Sequence, residues 1–355
     1  RLVAQDAAET VIPLEGLDPV LLAEGKEAQG DVKFSVTRGR FRYLFVGAET
    51  KARFEREPAR YEIQLGGTCA RMGPSTEGNP DLFAAHKGRI YLFGSPECVK
   101  AFKAAPENYL EPDASHESHA AASAEALTKG RALVEKAVEA AGGASKIDGL
   151  KSYQEKGLAT RRTRDGVAEM QTSLTWVFPD RVRQERVFGP NMMLATVVTP
   201  GEAFFVMGGA DSMFDEQRAH FRKQFRRNLL AVLRARKGEG FTAAAVGAGR
   251  VAEANVEEVL VNFEGVRLKL GVEASTGRVL TLSYRGRGPG GVVGEIVETF
   301  SDFRAVEGLS LPFKVAGTFN GEAEPTLTYR VESLVVNGDV PPSLFEKPKP
   351  AAAQQ

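Results

Sequence analysis

A duplicated segment constrains this chain more than any other feature of its sequence. Residues 38–61 recur as residues 86–109, in the same order and with the same spacing. Each copy predicts a strand ending in an aromatic pair, a turn, a helix with one buried Phe, and a Pro-x-x-Tyr exit. An internal repeat of this kind predicts two copies of one small structural unit. The matching pairs are Tyr43/Tyr91, Leu44/Leu92, Phe45/Phe93, Glu49/Glu97, Phe54/Phe102, Pro58/Pro106 and Tyr61/Tyr109.

Length and composition bound the class of protein. A chain of 355 residues exceeds one ordinary hydrophobic core, so two domains are expected. Hydrophobic residues at 43% and charged residues at 26% are typical of a folded, soluble protein. Lys plus Arg and Asp plus Glu balance at 46 each, so no overall positive field attracts nucleic acid. We therefore expect no nucleic-acid partner.

A small-residue, polar stretch at residues 112–126 predicts a linker between two domains, because it offers no apolar side chain to a core. The second domain begins with an amphipathic helix predicted at 127–141. The predicted organisation is a flexible tail at 1–10, a duplicated module at 11–111, the linker at 112–126, a second domain at 127–348 and a tail at 349–355.

The start of the sequence predicts export. Arg1 is followed by the small polar residues 4–8, which resemble what remains after a signal peptide is removed. The alternative is an arbitrary starting point. No apolar run reaches the roughly 18 residues of a membrane-spanning helix, so no transmembrane span is expected. We expect a periplasmic or outer-membrane-associated protein.

The second domain alternates apolar and polar residues in long runs, which predicts antiparallel strands. One strong helix, predicted at 215–237, interrupts them. The fold class expected for the whole chain is α+β: the duplicated module, then a large curled antiparallel sheet wrapped around a helix. The predicted strands are 152–162, 167–178, 181–188, 193–199, 203–207, 257–263, 266–272, 279–285, 294–303, 313–320 and 326–336.

The first module resembles the YHS-domain family in its exported tandem form. The resemblance is carried by Asp18-Pro19-Val20, Tyr43-Leu44-Phe45 and Gly66-Gly67-x-Cys69-Ala70, and by Glu97-Cys98 in the second copy. It implies a small α+β module that takes part in heavy-metal or copper handling. One departure matters: Thr50 stands in the first copy where Cys98 stands in the second, so a cysteine pair must join Cys98 with Cys69.

The second domain resembles the bacterial lipoprotein-carrier fold, an unclosed barrel. The residues that carry this resemblance are the Asp302–Phe313 segment, with its Gly308-Leu309-x-Leu311-Pro312 core, and the ending Pro341-Pro342-x-Leu344-Phe345. The resemblance implies a half-barrel with a hydrophobic concave face. A fold alone does not give function.

Cys69 and Cys98 are the only cysteines, and three states stay open for them. A disulfide would stabilise the module by roughly 3 to 4 kcal/mol on the loop-entropy estimate. As thiolates they could hold copper or zinc, with Met72 or His86 as a third ligand. Inert buried thiols are the third state. His116 and His119 have a spacing that suits a metal on a helix, although histidines in an Ala/Ser linker are more often solvated spacers.

The helix predicted at 215–237 and a group of methionines are candidate binding surfaces. The helix carries apolar residues on one face and a basic array elsewhere, which favours either a core helix with a solvated back or a surface for anionic lipid or an acidic partner. The methionines suit an irregular apolar ligand or simple core filling. The candidate residues are Arg222, Lys223, Arg226, Arg227, Met192, Met193 and Met207.

Catalytic motifs are missing from the sequence. It contains no Gly-x-Ser-x-Gly, no phosphate-binding loop and no His-Glu-x-x-His. Nothing in the sequence requires an enzyme. The leading hypothesis is an exported binding protein with a metal- or redox-linked site in the first module and an apolar groove for lipid or a protein segment in the second. The competing hypothesis is a structural subunit of a cell-envelope assembly without a small ligand.

Overall fold

The computed structural model describes residues 10–110, 122–163, 166–189 and 192–348. The chain divides into two compact units. The first contains the residues before the predicted linker together with the short segments 215–217 and 287–293, and the second contains the rest. Within the described ranges, no helix combines the length and the apolar character needed to cross a bilayer.

The first unit repeats one motif twice. In each copy an antiparallel strand pair leads into a short helix that packs back on the second strand of the pair. The elements are α1 (Pro19–Ala23), β1 (Asp31–Arg38), β2 (Phe41–Phe45), α2 (Ala48–Arg56), α3 (Pro58–Tyr61), β3 (Thr68–Cys69), β4 (Gly73–Glu77), β5 (Asn79–His86), β6 (Arg89–Phe93) and α4 (Pro96–Ala104).

The predicted repeat is confirmed by the aromatic core of each copy. Phe54 of α2 and Phe102 of α4 are fully buried, and each packs on the tyrosine of the preceding strand with ring centres 4.9 Å and 5.4 Å apart. The exit tyrosines, Tyr61 and Tyr109, are also buried. Residues at equivalent positions of the repeat are therefore buried and packed in the same way in both copies.

The segment between the two copies differs from its prediction, because residues 68–86 form three strands that the sequence pattern did not indicate. β3 lies parallel to β6, with Cys69 opposite Leu92, and β4 pairs with β3 on its other side. Only two residues long and flanked by glycines, β3 shows no alternation that could reveal it. Its position carries Cys69 into the core of the second copy.

The second unit is built on one large antiparallel sheet. Its helices are α5 (Ala124–Ala140), α6 (Ala144–Asp148), α7 (Asp215–Arg226) and α8 (Leu229–Ala235). Its strands are β7 (Ser152–Thr163), β8 (Gly166–Val177), β9 (Arg181–Gly189), β10 (Met192–Val198), β11 (Ala203–Met207), β12 (Gly209–Ser212), β13 (Thr242–Val251), β14 (Ala254–Phe263), β15 (Val266–Glu273), β16 (Val279–Arg287), β17 (Val293–Val306), β18 (Leu309–Phe319), β19 (Glu322–Ala323) and β20 (Tyr329–Val336).

This sheet curls around the helices. Its 14 strands run in the order β12, β11, β10, β9, β8, β7, β20, β18, β17, β16, β15, β14, β13, with β19 attached to β18. A flat sheet of that size would be about 60 Å wide, far wider than a helix. Yet Ala203 near one edge and Ala243 at the other belong to the same buried core as Val138 of α5 and Leu233 of α8. Only a curved sheet brings both edges to one core, as predicted.

The helix predicted as one element at 215–237 is two helices. α7 ends at Arg226, and α8 begins after Asn228, whose side chain accepts a hydrogen bond from the Leu230 backbone N–H at 3.0 Å. The carboxamide of an N-cap Asn accepts a hydrogen bond from a backbone N–H in the first turn of the next helix. Asn228 therefore favours the start of a new helix over continuation of α7. The apolar face predicted for this helix, Phe221, Phe225, Leu229 and Leu233, packs in or against the core, with Leu229 only partly buried.

Candidate functional site

The two cysteines of the first unit lie together in its core. Cys69 is on β3 and Cys98 is in the first turn of α4, and they are 0% and 5% exposed. Both are free thiols. The Cys98 sulfur lies within hydrogen-bonding reach of the Cys69 thiol. The structure therefore brings together the two cysteines that the sequence paired, and their pairing as a disulfide stays a prediction.

Polar groups surround the Cys98 sulfur. An Arg71 guanidinium nitrogen lies 3.8 Å from it, and the Ser95 hydroxyl lies 3.6 Å from it. Ser95 is also the N-cap of α4, accepting from the Cys98 backbone N–H at 3.4 Å. On the other sulfur, the Met72 backbone N–H donates to Cys69 at 3.4 Å. The helix start, the cap and the guanidinium all place positive potential at Cys98.

These contacts lower the pKa of Cys98. Burial of the thiol raises its pKa, because a thiolate loses water, but hydrogen bonds from Ser95, Arg71 and Cys69 together outweigh burial. The result is a pKa below the ordinary value of a cysteine. The thiolate is the nucleophilic and metal-binding form of cysteine, so Cys98 is the more reactive partner.

Met72 and His86, proposed as a third ligand, are not drawn into this cluster. The Met72 side chain is 43% exposed, and only its backbone contacts Cys69. His86 bonds Glu107 through Nε2 at 2.9 Å and sets its ring edge against Phe102. Across the part of the chain that the structure describes, no group of three or more His, Cys, Asp or Glu side chains is placed to hold a metal ion. His116 and His119 lie outside the described residues.

The inward face of the second unit can be read from strand register. Tyr153, Trp176 and Val182 stand opposite one another on β7, β8 and β9, and all three belong to the core under the helices. Side chains on one face recur every second residue. The next row along the same face is therefore Glu155, Leu174 and Gln184, followed by Gly157, Thr172 and Arg186.

Two adjoining cavities open where this face meets the helices, and we call them together the Trp176 groove. They measure about 180 Å³ and about 200 Å³. Trp176, Pro179, Asp180 and Arg226 line both. The first is also lined by Val182, Val198, Pro200, Arg222 and Phe225, and the second by Phe178, Ala231, Arg234, Ala235, Phe263 and Glu264. An aromatic and aliphatic interior with guanidinium groups suits an amphiphile with an acidic end.

The arginines predicted as a basic surface are used at the groove and beside it. Arg222 donates to the backbone carbonyls of Thr199 at 2.8 Å and Pro200 at 2.7 Å. Arg226 pairs with Glu264, and Arg227 lies over the Tyr284 ring at 4.1 Å. All three are half-buried, and Lys223 alone of the four is exposed. Contacts within the unit therefore cover part of each of the three arginines, and their use as a surface for an anionic lipid or an acidic partner stays a prediction.

The predicted methionine cluster does not line the groove. Met192, Met193 and Met207 are 50%, 38% and 59% exposed. Met193 pairs with Val187, whose side chain is on the face opposite Arg186. The methionines therefore lie apart from the Trp176 groove. Because they are exposed, their contact with a partner at the surface stays a prediction.

Two half-buried carboxylic acids on the inward face were not predicted from the sequence. Glu155 accepts from the hydroxyls of Tyr153 and Tyr329. Glu298 of β17 accepts from the Tyr284 hydroxyl at 3.2 Å. In both, burial raises the carboxyl pKa more than the tyrosine hydrogen bonds lower it. Alternation in β7 puts Glu155 on the same face as Tyr153, and that is the signal that could have found it.

Comparisons with known proteins identify distant structural neighbours only. No family model matches the sequence, and no curated protein matches it. The structure is similar to a DUF1329 family protein from Desulfovibrio piger (11% identity, TM-score 0.42, covering 62% of this chain and 97% of the other). It is also similar to a LolA superfamily protein from Nitrosomonas europaea (11% identity, TM-score 0.42, covering 61% of this chain and 97% of the other). A third neighbour is a domain assigned to outer membrane lipoprotein sorting, from Vibrio parahaemolyticus (8% identity, TM-score 0.39, covering 62% of this chain and 97% of the other).

These neighbours include the lipoprotein-carrier superfamily that the second half of the sequence resembles. None of the three bears on the YHS resemblance of the first half. At such low identities and TM-scores the likeness carries no argument about what this chain binds.

Proposed function

We propose that this chain is an exported, non-enzymatic binding protein whose second unit holds an apolar or amphiphilic ligand, such as an acyl chain, in the Trp176 groove. The observation that carries the proposal is the pair of adjoining cavities, with Trp176, Phe178, Phe225 and Phe263 in their walls. Apolar walls with a few polar groups are typical of sites for small hydrophobic ligands. The protein would act in the periplasm or at the outer membrane, with lipid or another cell-envelope protein as its partner.

Filling the groove tests this function. Ala235, half-buried at the end of α8, lines the second cavity, so Ala235→Phe would occupy ligand space. Ala219 is exposed on α7, and Ala219→Phe is the matched control. The fluorescent probe N-phenyl-1-naphthylamine should bind the wild type and the control alike and bind Ala235→Phe at least severalfold more weakly. Absence of binding to the wild type would instead favour the structural subunit of an envelope assembly.

A second candidate function belongs to the thiol pair of the first unit, which we propose as a site for a soft cation. Two adjacent thiols, one with a lowered pKa, are ligands that Cu(I) prefers. The Arg71 guanidinium would offset the negative charge of a bis-thiolate complex. Zinc fits less well, because structural zinc takes four ligands and the described residues offer no group of three.

Titration with copper(I) under anaerobic conditions tests this candidate. We expect one equivalent to bind the wild type in competition with a chromophoric chelator, and Cys69→Ser or Cys98→Ser to abolish binding. Thr50→Ser, a change at the position equivalent to Cys98 in the first copy, is the matched control. A mass two daltons below the reduced chain, restored by reductant, together with no copper uptake, would favour the disulfide.

A further inference from the structure

Arg186 is a half-buried cation on the inward face of the second unit, and the described residues of that face give it no counter-ion. It stands between Thr172 of β8 and Leu194 of β10, two rows from Trp176. Among the described residues, none forms a hydrogen bond or ion pair with its guanidinium. Burial lowers its pKa, and no neighbouring charge or hydrogen bond opposes that effect. Because the guanidinium is only half-buried and none of its nitrogens is fully enclosed, it stays accessible to an anionic group from outside the fold.

Three other guanidinium groups of this unit have a charged or aromatic partner. Arg236, 1% exposed at its side chain, is held by Asp148 at 2.6 Å and by Glu135 at 3.2 Å. Arg226 has Glu264, and Arg227 has the Tyr284 ring. The fold therefore supplies partners to arginines that serve structure, and Arg186 differs from them.

A second guanidinium group of the same face lies at Phe188. Arg161 of β7 donates to the Phe188 carbonyl at 3.4 Å and lies 6.0 Å from the centre of the Phe188 ring. Its Nε is buried and has no acceptor among the described residues. Phe188 follows Arg186 by two residues on β9, so strand alternation puts both residues on the inward face.

The carboxylic acids of this face do not neutralise Arg186. Glu155 is held by Tyr153 and Tyr329, and Glu298 is held by Tyr284. Burial raises the pKa of both acids and so favours their neutral form. The inward face therefore keeps net positive potential at Arg186, with the apolar side chains of Leu174 and Leu194 beside it.

We propose that Arg186, with Arg161 on the same face, binds the carboxylate of a long-chain fatty acid whose hydrocarbon chain extends along the inward face to the Trp176 groove. A planar guanidinium pairs with a carboxylate through two parallel hydrogen bonds. The four residues from Val182, opposite Trp176, to Arg186 span about 13 Å of strand, a distance that a long acyl chain covers. This inference rests on the proposed function of the groove and adds the chemical class of the ligand.

Two ligands that differ only in the head group test the inference. Dodecanoate and dodecanol are titrated calorimetrically into the full-length wild type, Arg186→Met and Arg186→Lys. Arg181→Met is the matched control, because Arg181 is exposed on the same strand. We expect Arg186→Met to lose about tenfold or more in affinity for dodecanoate, the size of a charge-assisted pair, and to keep its dodecanol affinity. Arg186→Lys should keep a preference for the acid.

The outcomes separate the two hypotheses. Binding of neither ligand to the wild type overturns the function proposed for the groove. Equal dodecanoate affinity in the wild type and Arg186→Met overturns the role of Arg186 alone. Thermal unfolding without ligand adds an independent measurement: loss of an uncompensated buried charge should leave Tm unchanged or higher. A fall in Tm of Arg186→Met with unchanged dodecanoate binding identifies a structural arginine and contradicts the proposal. If Arg186→Met does not fold, Arg186→Gln replaces it, and a dodecanoate affinity equal to that of the wild type then decides against the proposal.

Discussion

The guanidinium of Arg71 lies 3.8 Å from the sulfur of Cys98, in a core that otherwise consists of aromatic and small side chains. Only Ala70 separates Arg71 from Cys69, and the same turn therefore supplies both the second thiol and the cation. This arrangement favours a negatively charged sulfur in a site where burial alone would keep it neutral.

Replacing Arg71 should make Cys98 less reactive. In Arg71→Met the Cys98 thiolate loses a hydrogen bond and a nearby positive charge, so its pKa rises. The pH dependence of Cys98 alkylation by iodoacetamide, followed by peptide mass spectrometry, should shift to higher pH. Lys100→Met, an exposed change on the same helix, is the control and should leave the profile in place. An identical profile in Arg71→Met would show that the guanidinium does not act on the sulfur.

Asp148 should make the second unit sensitive to acid. Hydrogen bonds from Arg236 and Lys237 lower its pKa to about 2. The pKa of Asp148 is therefore lower in the folded protein than in the unfolded chain. Its carboxylate stabilises the fold above about pH 4, and this stabilisation is lost as the pH falls toward 2. Asp148→Asn should reduce the free energy of unfolding at pH 7 by about 1–3 kcal/mol, because it weakens the hold on the buried Arg236.

Urea unfolding at several pH values measures the effect of Asp148→Asn. The difference between wild type and variant should be full at pH 7 and shrink toward pH 2. A difference that stays constant across this range would contradict the assigned role of the carboxylate charge.

Glu155 and Glu298 should have the opposite pH dependence. Burial raises the pKa of both acids above that of the unfolded chain. Between those two values the folded state binds more protons, so the stability of the wild type falls as the pH rises above about 4.3. The double variant Glu155→Gln, Glu298→Gln keeps acceptors for the tyrosine hydroxyls. Its stability should therefore decrease less than that of the wild type as the pH rises. Thermal unfolding from pH 4 to pH 8 measures it, and parallel curves for the two proteins would refute the assignment.

The break between α7 and α8 should depend on Asn228. Its carboxamide caps α8 through the Leu230 N–H, so Asn228→Ala should destabilise the second unit by about 1 kcal/mol. Asn228→Asp keeps a side-chain acceptor and serves as the control, with a smaller loss. Chemical denaturation of the three proteins tests this, and a more stable Asn228→Ala would mean that the two helices favour fusion.

Local pattern was sufficient for much of the fold. The duplicated aromatic positions, such as Phe54 and Phe102, predict buried helix residues because both copies must fill the same space. Alternation in β7, β8 and β9 predicts their strands to within a residue or two. β13 was not predicted from the sequence, because its Ala- and Gly-rich residues have low strand propensity. Pairing with β14, the next strand along the chain, and packing against α5, which lies far earlier in the sequence, make it a strand.

The candidate sites divide in the same way. The chain by itself determined that Cys69 and Cys98 form the sole possible thiol pair and that α7 carries a basic array, since these depend on residue identity and short-range spacing. Only the tertiary structure decided that Arg71 faces Cys98, that His86 does not, and that Arg186 lies on the inward face without a counter-ion among the described residues. Such properties depend on strand register and on the curl of the sheet, which bring together side chains whose separation along the chain conceals their contact.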